Sequence, residues 1–518
     1  MTGVNPIIKL DFPDPDVIRV DNVYYMVSTT MHFFPGGAIL RSYDLIHWEL
    51  ASYLYEGLDN TSAQRLEGNI YGKGMWAGSL RYHNGRFHVC FIAPDTHKTY
   101  LFRSDSAEGP WEKSIIQGFY YDSSLLFDDD GRVFIAHGNT EIHITELNAD
   151  LSGPKPGGLD RLAVKDTGNI RLGYEGTHFY KINNKYYLFF IHWPDEGYQR
   201  RTEACFVADS LEGAFVGKDI LDDDLGYHNQ GVAQGGIVDT PDGDWFAVLF
   251  QDRGAVGRIP VLVPMHWEDD FPVLGTDGKV PSEVETKSTH EGYAYTPLFG
   301  SDDFQVQNSE NACLKDFWQW NHTPNAALWS ATEKPGNYRI HSGKISINVS
   351  HAVNTLTQHM VYPGCAADVT VDGSLMNDGD YAGLCALQGC YGLIALVKQN
   401  GRYYLTVLVR EPEGDPVWGK LPDEGPGKRV AWIPVESPVV TLKLRACFTD
   451  QIDEAEFFYL DGEKWVNTGV RHKLYFKLDH FTGCRFGLFL YSTEQIGGAA
   501  DFSDFIYHDD NDCPVSRD

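Results

Sequence analysis

The sequence predicts an all-β protein in which a five-bladed β-propeller is followed by a β-sandwich. Three observations lead to this prediction. The 518 residues include 28 Tyr, 29 Phe, 12 Trp, 52 Gly and 25 Pro, a composition that favours many short strands joined by tight turns. A strand–turn–strand unit recurs through the first half, and no helical period persists over long windows. A different strand pattern begins near Asp302, and the chain is too long for a single core.

Each recurring unit has an inner strand, a turn and a second strand rich in Tyr and Phe. The spacing of the units is roughly 45–60 residues, in the range of propeller blades. Five units predict a propeller over residues 1–290, whose innermost strands line a central channel. The inner strands begin at Asp16-Val17-Ile18, Trp76-Ala77-Gly78, Asp122-Ser123-Ser124, Glu175-Gly176-Thr177 and Gln234-Gly235-Gly236.

The second domain is expected after a short linker. Residues from about Gly275 to Ser301 are rich in Gly, Thr, Ser, Glu and Lys, and we place the linker at residues 291–301. From residue 302 to 518, alternating strands such as Tyr338–His341 predict a β-sandwich. The last strand, Ala500–Tyr507, resembles the opening residues Asp302–Phe304, so the two ends of the sandwich are expected to pair.

The net charge, the cysteines and the N-terminal residues limit the possible partners and the cellular location of the protein. A formal net charge of −30 argues against a nucleic-acid or anionic-membrane partner and suits a neutral ligand, although solubility alone explains most of it. The nine cysteines lack the spacing of a disulfide framework or a zinc site. The first residues contain no apolar signal run, and no stretch is long enough to span a membrane. We therefore expect a cytoplasmic protein, or a secreted one if a signal peptide was trimmed.

Three acidic residues, Asp14, Asp122 and Glu175, each open a similar apolar strand pattern. Carboxyls at the same phase of several repeats predict one shared cleft. Two or three carboxyls across a cleft are what hydrolysis of a glycosidic bond requires.

The surroundings of each carboxyl suggest a role. Asp14 lies between two prolines, which stiffen the backbone as a general base needs, although Asp-Pro sequences also cap turns. Glu175 follows Tyr174, and aromatic surroundings raise a carboxyl pKa as a general acid needs; the alternative is an exposed Glu at a strand start. Asp122 is followed by the small residues Ser123 and Ser124, and it could orient a partner and tune the proton affinity of that partner.

Four further side chains are candidates for binding sugar. Trp76, Phe34 and Trp193 carry aromatic faces that match the C–H faces of a pyranose, although most aromatic residues belong to a core. Arg258 suits the binding of ring hydroxyls, with a surface ion pair as the alternative.

Together these motifs resemble glycoside hydrolase family 43. The resemblance covers nearly the whole chain, including a tail similar to the β-sandwich of the family's β-xylosidases and arabinofuranosidases. In the propeller it is carried by Phe12-Pro13-Asp14-Pro15, Phe34-Pro35-Gly36, Gly74-Met75-Trp76-Ala77, Asp122-Ser123-Ser124-Leu125 and Glu175-Gly176-Thr177-His178. In the tail it is carried by Trp318-Gln319-Trp320-Asn321-His322 and Asp378–Leu384.

The resemblance implies roles for the residues that match. Asp14 is then the general base, Glu175 the general acid, and Asp122 the residue that orients the acid and tunes its pKa. Trp76, Phe34 and Arg258 match positions in the substrate pocket, and the family works by inversion.

One departure from the family concerns the fifth blade. Many members carry a His in its inner strand, near a central metal or water cluster, whereas this chain has Gln234 there. His228 lies slightly earlier, and we include both among the candidate binding residues. No cofactor is expected to be required and no metal ligand is assigned, while a structural calcium stays open.

The expected function is an exo-acting β-xylosidase that removes xylose from the non-reducing ends of xylo-oligosaccharides. An α-L-arabinofuranosidase, or one enzyme with both activities on arabinoxylan-derived oligosaccharides, is the alternative. A catalytically silent carbohydrate-binding protein is the alternative of another class. The aromatic stretch Trp318–His322 suggests that the sandwich helps to close the pocket, unless it simply fills the core or the interdomain seam. The sequence leaves the linkage and any homo-oligomer open.

Overall fold

The N-terminal half of the chain folds into five antiparallel sheets of four strands each in a computed structural model, which describes residues 1–168, 171–195, 197–305, 314–411 and 425–509. Strands β2, β3, β5 and β6 form blade 1, and the next four blades are β7–β10, β11–β14, β15–β18 and β19–β22. The bounds are β1 (Thr2–Val4), β2 (Asp16–Val20), β3 (Val23–Ser28), β4 (Phe33–Phe34), β5 (Gly36–Ser42), β6 (Glu49–Tyr55), β7 (Gly78–His83), β8 (Arg86–Ala93), β9 (Lys98–Ser104), β10 (Glu112–Ile116), β11 (Ser124–Phe127), β12 (Val133–Asn139), β13 (Glu141–Leu147), β14 (Asp160–Lys165), β15 (Glu175–Ile182), β16 (Lys185–His192), β17 (Thr202–Ala208), β18 (Val216–Leu221), β19 (Ala233–Asp239), β20 (Trp245–Asp252), β21 (Arg258–Glu268), β22 (Phe271–Leu274) and β23 (Glu283–Glu285).

The five innermost strands close into a ring. Strand β2 contacts β7, β7 contacts β11, β11 contacts β15, β15 contacts β19, and β19 contacts β2. The backbone N–H of Gly236 donates to the carbonyl of Pro15 at 2.9 Å, which joins blade 5 to blade 1. Outside the blades, β1 pairs with β23, so the two ends of this half are tied together. The predicted five-bladed propeller is confirmed.

The blades pack face to face through apolar side chains. The second strand of a blade is buried on both faces, and in β8 and β16 every residue after the first is buried. Phe91, Phe134 and Phe179 are among the largest fully buried side chains, and burying one Phe contributes about 1.5–3 kcal/mol. This packing holds the inner strands in fixed relative positions.

The C-terminal half is a β-sandwich, as predicted. Its first sheet has the order β32-β31-β30-β29-β36-β27-β24-β4, and its second the order β25-β26-β37-β28-β33-β34-β35. Asp302 forms a β-bridge with Phe505, so the start and end of the sandwich meet as predicted. The bounds are β24 (Gln319–Asn321), β25 (Trp329–Ser330), β26 (Tyr338–His341), β27 (Leu356–His359), β28 (Gly364–Asp372), β29 (Asp380–Leu387), β30 (Gly392–Gln399), β31 (Arg402–Val409), β32 (Lys428–Val435), β33 (Val439–Cys447), β34 (Glu454–Asp461), β35 (Lys464–Lys473), β36 (Arg485–Ser492) and β37 (Ala499–His508).

Helical structure in the described residues is limited to four short 3₁₀ turns. They span Gly254–Val256, Ala326–Leu328, Val349–His351 and Thr449–Gln451. None of the described helices has the length or apolarity needed to cross a membrane.

The two halves share a continuous seam. Strand β4 leaves blade 1 and pairs with β24 of the sandwich, which places Phe34 opposite Trp320. The indole of Trp318 donates to Asp302 at 2.8 Å, and His322 accepts the backbone N–H of Ile70 at 2.9 Å. The aromatic stretch around residue 320 therefore fills the sandwich core and the seam, which was the alternative interpretation of that stretch.

Candidate active site

A pocket of about 470 Å³ opens where the innermost strands begin. Asp14 lies just before β2, Asp122 just before β11, and Glu175 is the first residue of β15. All three line this pocket. The structure thus brings together the three carboxyls that the sequence analysis selected from blades 1, 3 and 4.

Asp14 is held in an unusual backbone conformation. Its φ is +52°, in the left-handed region that costs a non-glycine residue roughly 1–3 kcal/mol. The carbonyl of the preceding Pro13 accepts hydrogen bonds from the hydroxyl of Ser28 at 2.7 Å and the N–H of Thr29 at 3.2 Å. Nη1 of Arg258 lies 2.8 Å from Oδ1 of the Asp14 carboxylate, and both side chains are almost fully buried. The base candidate therefore has one fixed orientation.

Asp122 also has a positive φ, +44°. Its Oδ2 accepts the backbone N–H of Gly176 at 3.1 Å, and its carbonyl accepts the N–H of Thr177 at 3.3 Å. Burial, and then the nearby carboxyls of Glu175 and Asp14, raise the pKa of Asp122 well above its usual value. Asp122 is thereby attached directly to the segment that carries Glu175.

Glu175 begins β15 at a β-bulge, where Gly176 takes a φ of +64°. Its Oε2 accepts hydrogen bonds from the phenol of Tyr121 at 3.3 Å and from the side-chain amide of Asn139. Burial raises the pKa of Glu175 to about 7, even though the Arg201 guanidinium acts to lower it. A carboxyl with such a pKa can hold a proton near neutral pH and release it to a leaving group.

The candidate sugar-binding residues divide into two groups. Trp76, Gln234 and Arg258 line the pocket. The indole of Trp76 stands edge-to-face against Tyr121, with ring centroids 5.6 Å apart. Gln234 has a φ of +58° at a bulge of β19, and its side chain packs against the Cα of Gly176. These three side chains are placed to contact a bound ligand.

Phe34, Trp193 and His228 do not line this pocket, so its geometry does not support them as sugar-binding residues. Phe34 is 1% exposed, because it packs between blades 1 and 2 and its strand extends the sandwich sheet. Trp193 donates its backbone N–H to the carbonyl of the pocket residue Leu172 at 3.0 Å. His228 points to the surface, with its Nε2 3.9 Å from Asp450 of the sandwich.

The sequence analysis missed several residues that line the pocket. Arg171 and Leu172 come from the connection between blades 3 and 4, and Arg201 from blade 4. Leu478 and Phe481 come from the sandwich. The ring of Phe481 lies under the guanidinium of Arg258, 4.4 Å from its centre. Tyr121, which also lines the pocket, directly precedes the motif that begins at Asp122, whereas no local sequence signal identifies Phe481.

The centre of the propeller was the expected place for any calcium. Its inner strands carry Arg81, whose Nη1 lies 2.7 Å from the carboxylate of Asp16. Among the described residues, no group of three or more His, Cys, Asp or Glu side chains is arranged to hold a metal ion. The side chains present at this centre do not fit a bound cation, because one of them is itself a cation.

Comparison with known proteins agrees with this arrangement. The model of glycosyl hydrolases family 43 matches residues 4–272, and that of the beta xylosidase C-terminal concanavalin A-like domain matches residues 301–508. A beta-xylosidase of Formosa agariphila is 26% identical over 98% of this chain and 90% of its own length. A non-reducing end alpha-L-arabinofuranosidase of Bacteroides ovatus is 25% identical over 80% of this chain and 77% of its own.

Solved structures share the architecture of both halves. A bifunctional GH43-CE protein of Bacteroides eggerthii superposes with a TM-score of 0.89 at 39% identity and covers 98% of this chain. This chain spans 64% of the length of that neighbour. The alternative of a catalytically silent binding protein is therefore set aside. The chain belongs to glycoside hydrolase family 43 and is a glycoside hydrolase whose propeller is followed by the family's concanavalin-like sandwich.

Proposed function

We propose that this glycoside hydrolase is an inverting, exo-acting β-xylosidase that releases xylose from the non-reducing ends of xylo-oligosaccharides. The observation that carries the proposal is the meeting of Asp14, Asp122 and Glu175 in one pocket, where burial raises the pKa of Glu175 to about 7. An acid that is still partly protonated near neutral pH, beside a base held by an arginine, supports hydrolysis by two carboxyls.

The proposed reaction is a single displacement at the anomeric carbon. Asp14 accepts a proton from a water molecule, whose oxygen attacks the anomeric carbon from the face opposite the leaving group. Glu175 donates its proton to the glycosidic oxygen as the C–O bond breaks. Asp122 keeps the Gly176 amide, and with it the Glu175 segment, in position through its 3.1 Å hydrogen bond. The sugar is released with inverted configuration, Glu175 ends ionised and Asp14 ends protonated.

Exo action is supported by the sandwich side chains at the pocket. Leu478 and Phe481 add an apolar wall to a pocket that otherwise consists of propeller residues. Phe481 also contacts Arg258, the partner of the base candidate. A wall beside the reacting centre favours a substrate that enters by its end over a chain that lies across an open cleft.

The second candidate function is α-L-arabinofuranosidase activity, alone or together with β-xylosidase activity. It is supported by the relatives, which include a beta-xylosidase and a non-reducing end alpha-L-arabinofuranosidase at nearly equal identity. A terminal xylopyranose and an arabinofuranose present similar hydroxyls to a shallow pocket. An arabinoxylan-derived oligosaccharide is therefore the alternative substrate.

The proposal is tested by comparing turnover of nitrophenyl β-xyloside and nitrophenyl α-L-arabinofuranoside. We expect kcat/KM to be higher for the xyloside, and the Asp14→Asn variant to lose turnover of both substrates. A higher kcat/KM for the arabinofuranoside would make the second candidate the main activity.

A further inference from the structure

Each carboxyl in the pocket lies two or three residues before a buried polar side chain of an innermost strand. The three pairs are Asp14 with Asp16, Asp122 with Ser124, and Glu175 with His178. The second members of these pairs turn away from the pocket and meet at the centre of the propeller. Their common partner there is Arg81 on β7, which reaches His178 through Asp16.

The guanidinium of Arg81 is saturated with hydrogen bonds. An arginine side chain has five N–H donors, and five hydrogen bonds are formed here. The acceptors are Asp16 Oδ2 at 2.7 Å, the carbonyl of Leu80 at 2.6 Å, Ser124 Oγ at 2.6 Å, and the carbonyls of Leu125 at 2.9 Å and Phe179 at 3.1 Å. One side chain therefore joins the innermost strands of blades 1, 2, 3 and 4.

The fifth blade is joined through Tyr180. The guanidinium of Arg81 lies over the ring of Tyr180, 4.9 Å from its centre. The hydroxyl of Tyr180 accepts the backbone N–H of Ile237 on β19 at 3.1 Å. All five innermost strands are thus linked to one cation, whose side chain is 11% exposed.

The charge of this cluster is balanced by Asp16, which is completely buried. Its Oδ2 accepts the N–H of Leu80 at 2.7 Å and its Oδ1 lies 3.0 Å from Nδ1 of His178. Burial acts to raise the pKa of Asp16, but Arg81 and His178 outweigh it and the pKa falls below its usual value. Asp16 therefore stays ionised opposite the guanidinium.

We propose that Arg81 is a positioning residue, which sets the relative register of the strands that carry Asp14, Asp122 and Glu175 and supplies from within the chain the positive charge at the propeller centre. This inference rests on the proposed roles of the three carboxyls. Arg81 does not line the pocket, and it acts on the reaction only through the strands it joins.

The test is the Arg81→Ala variant, assayed well below its melting temperature. A displacement of the carboxyls by about 1 Å costs on the order of 10²-fold, so we expect kcat to fall by about 10–100-fold while KM changes little. The Arg81→Lys variant should not restore kcat, because an ammonium has three donors and cannot replace a planar fork that reaches four strands. Adding ethylguanidinium, at concentrations too low to denature, should raise kcat of Arg81→Ala and leave the wild type unchanged.

Arg19→Ala is the matched control. Arg19 also links two blades, through an ion pair of 2.5 Å to Asp239, but the pair is partly exposed. This variant should have wild-type kcat. If Arg81→Ala does not fold, Asp16→Asn replaces it, because it removes the counter-charge with little change of shape and should lower kcat in the same way.

The outcomes separate this inference from the proposed function. A folded Arg81→Ala or Asp16→Asn variant whose kcat stays within about twofold of an active wild type would overturn the role of Arg81, since a shift of 1 Å should cost far more. Loss of thermal stability without loss of kcat would reduce Arg81 to a structural role. A wild type without turnover of any xyloside or arabinofuranoside would instead contradict the proposed function.

Metal removal tests the second half of the inference. Dialysis of the wild type against a chelator should change neither kcat nor Tm, because the guanidinium supplies the central charge. Loss of activity on chelation that calcium restores would overturn that part.

Discussion

Nη1 of Arg258 lies 2.8 Å from Oδ1 of Asp14, while the face of the same guanidinium rests on Phe481 of the sandwich. The candidate base, blade 5 (through β21, which begins at Arg258) and the C-terminal domain are therefore joined at one side chain. This contact gives the sandwich a direct connection to the reacting centre.

Replacing Arg258 should disable the base without unfolding the protein. In Arg258→Met the Asp14 carboxylate loses the hydrogen bond that orients it and can rotate, so we expect kcat/KM to fall by about 10²-fold. Arg253→Met is the control, because Arg253 stacks on Tyr227 and Tyr362 at the seam and does not line the pocket. Steady-state kinetics and Tm of both variants check the expectation. Equal losses in the two variants would mean that seam packing, and not the orientation of Asp14, is responsible.

The loss of kcat on removing the acid Glu175 should depend on the leaving group of the substrate. Glu175→Ala should lower kcat on xylobiose by about 10²–10⁴-fold, because the departing sugar needs a proton. It should affect a nitrophenyl xyloside with an acidic leaving group much less. Glu141→Ala, at an exposed ion pair with Lys165 on blade 3, provides the control. Equal losses on the two substrates would contradict the assignment of Glu175 as the acid.

The pH profile should report the protonation of Glu175. The acid must carry its proton, so activity is retained below its pKa and lost as the pH rises through about 7. Arg201 acts to lower this pKa, so Arg201→Met should move the alkaline limb of kcat/KM to higher pH. The position of the limb is read independently of the absolute rate. A limb that stays in place or moves to lower pH in Arg201→Met would assign it to another group.

Removing the sandwich side chain Phe481 from the pocket wall should weaken the preference for cleavage at the chain end. In Phe481→Ala the pocket loses a sandwich side chain, and we expect a higher KM for xylobiose. Early products from xylohexaose are the more direct measurement. The wild type should at first give only xylose and xylopentaose, and early xylobiose, xylotriose and xylotetraose from the wild type would show an open cleft instead.

Sequence patterns predicted the features that are local or repeated. The three carboxyls were found because each opens a strand at the same position of a repeat. The innermost strands form a closed ring, so residues at that position lie close together. The propeller and the sandwich followed from strand spacing and turn composition. The catalytic roles of the three carboxyls stay predictions that the variants above test.

The remaining features depend on tertiary contacts that a local pattern does not encode. In the sequence, Phe34 cannot be told apart from an aromatic residue that stacks on a sugar. In the structure, its strand leaves the blade to extend the sandwich sheet. Phe481 reaches the pocket from the other domain. Arg81 lies in an alternating strand pattern, where a charged residue is usually exposed, but the channel of the propeller encloses it.

The most direct test of single displacement between Asp14 and Glu175 is proton NMR of the first sugar released from a β-xyloside, recorded before mutarotation. Inversion predicts that α-xylose appears first and that the β-anomer grows in later by mutarotation. Appearance of β-xylose first would mean retention through a covalent intermediate, and would contradict the assignment of Asp14 as the base that activates water.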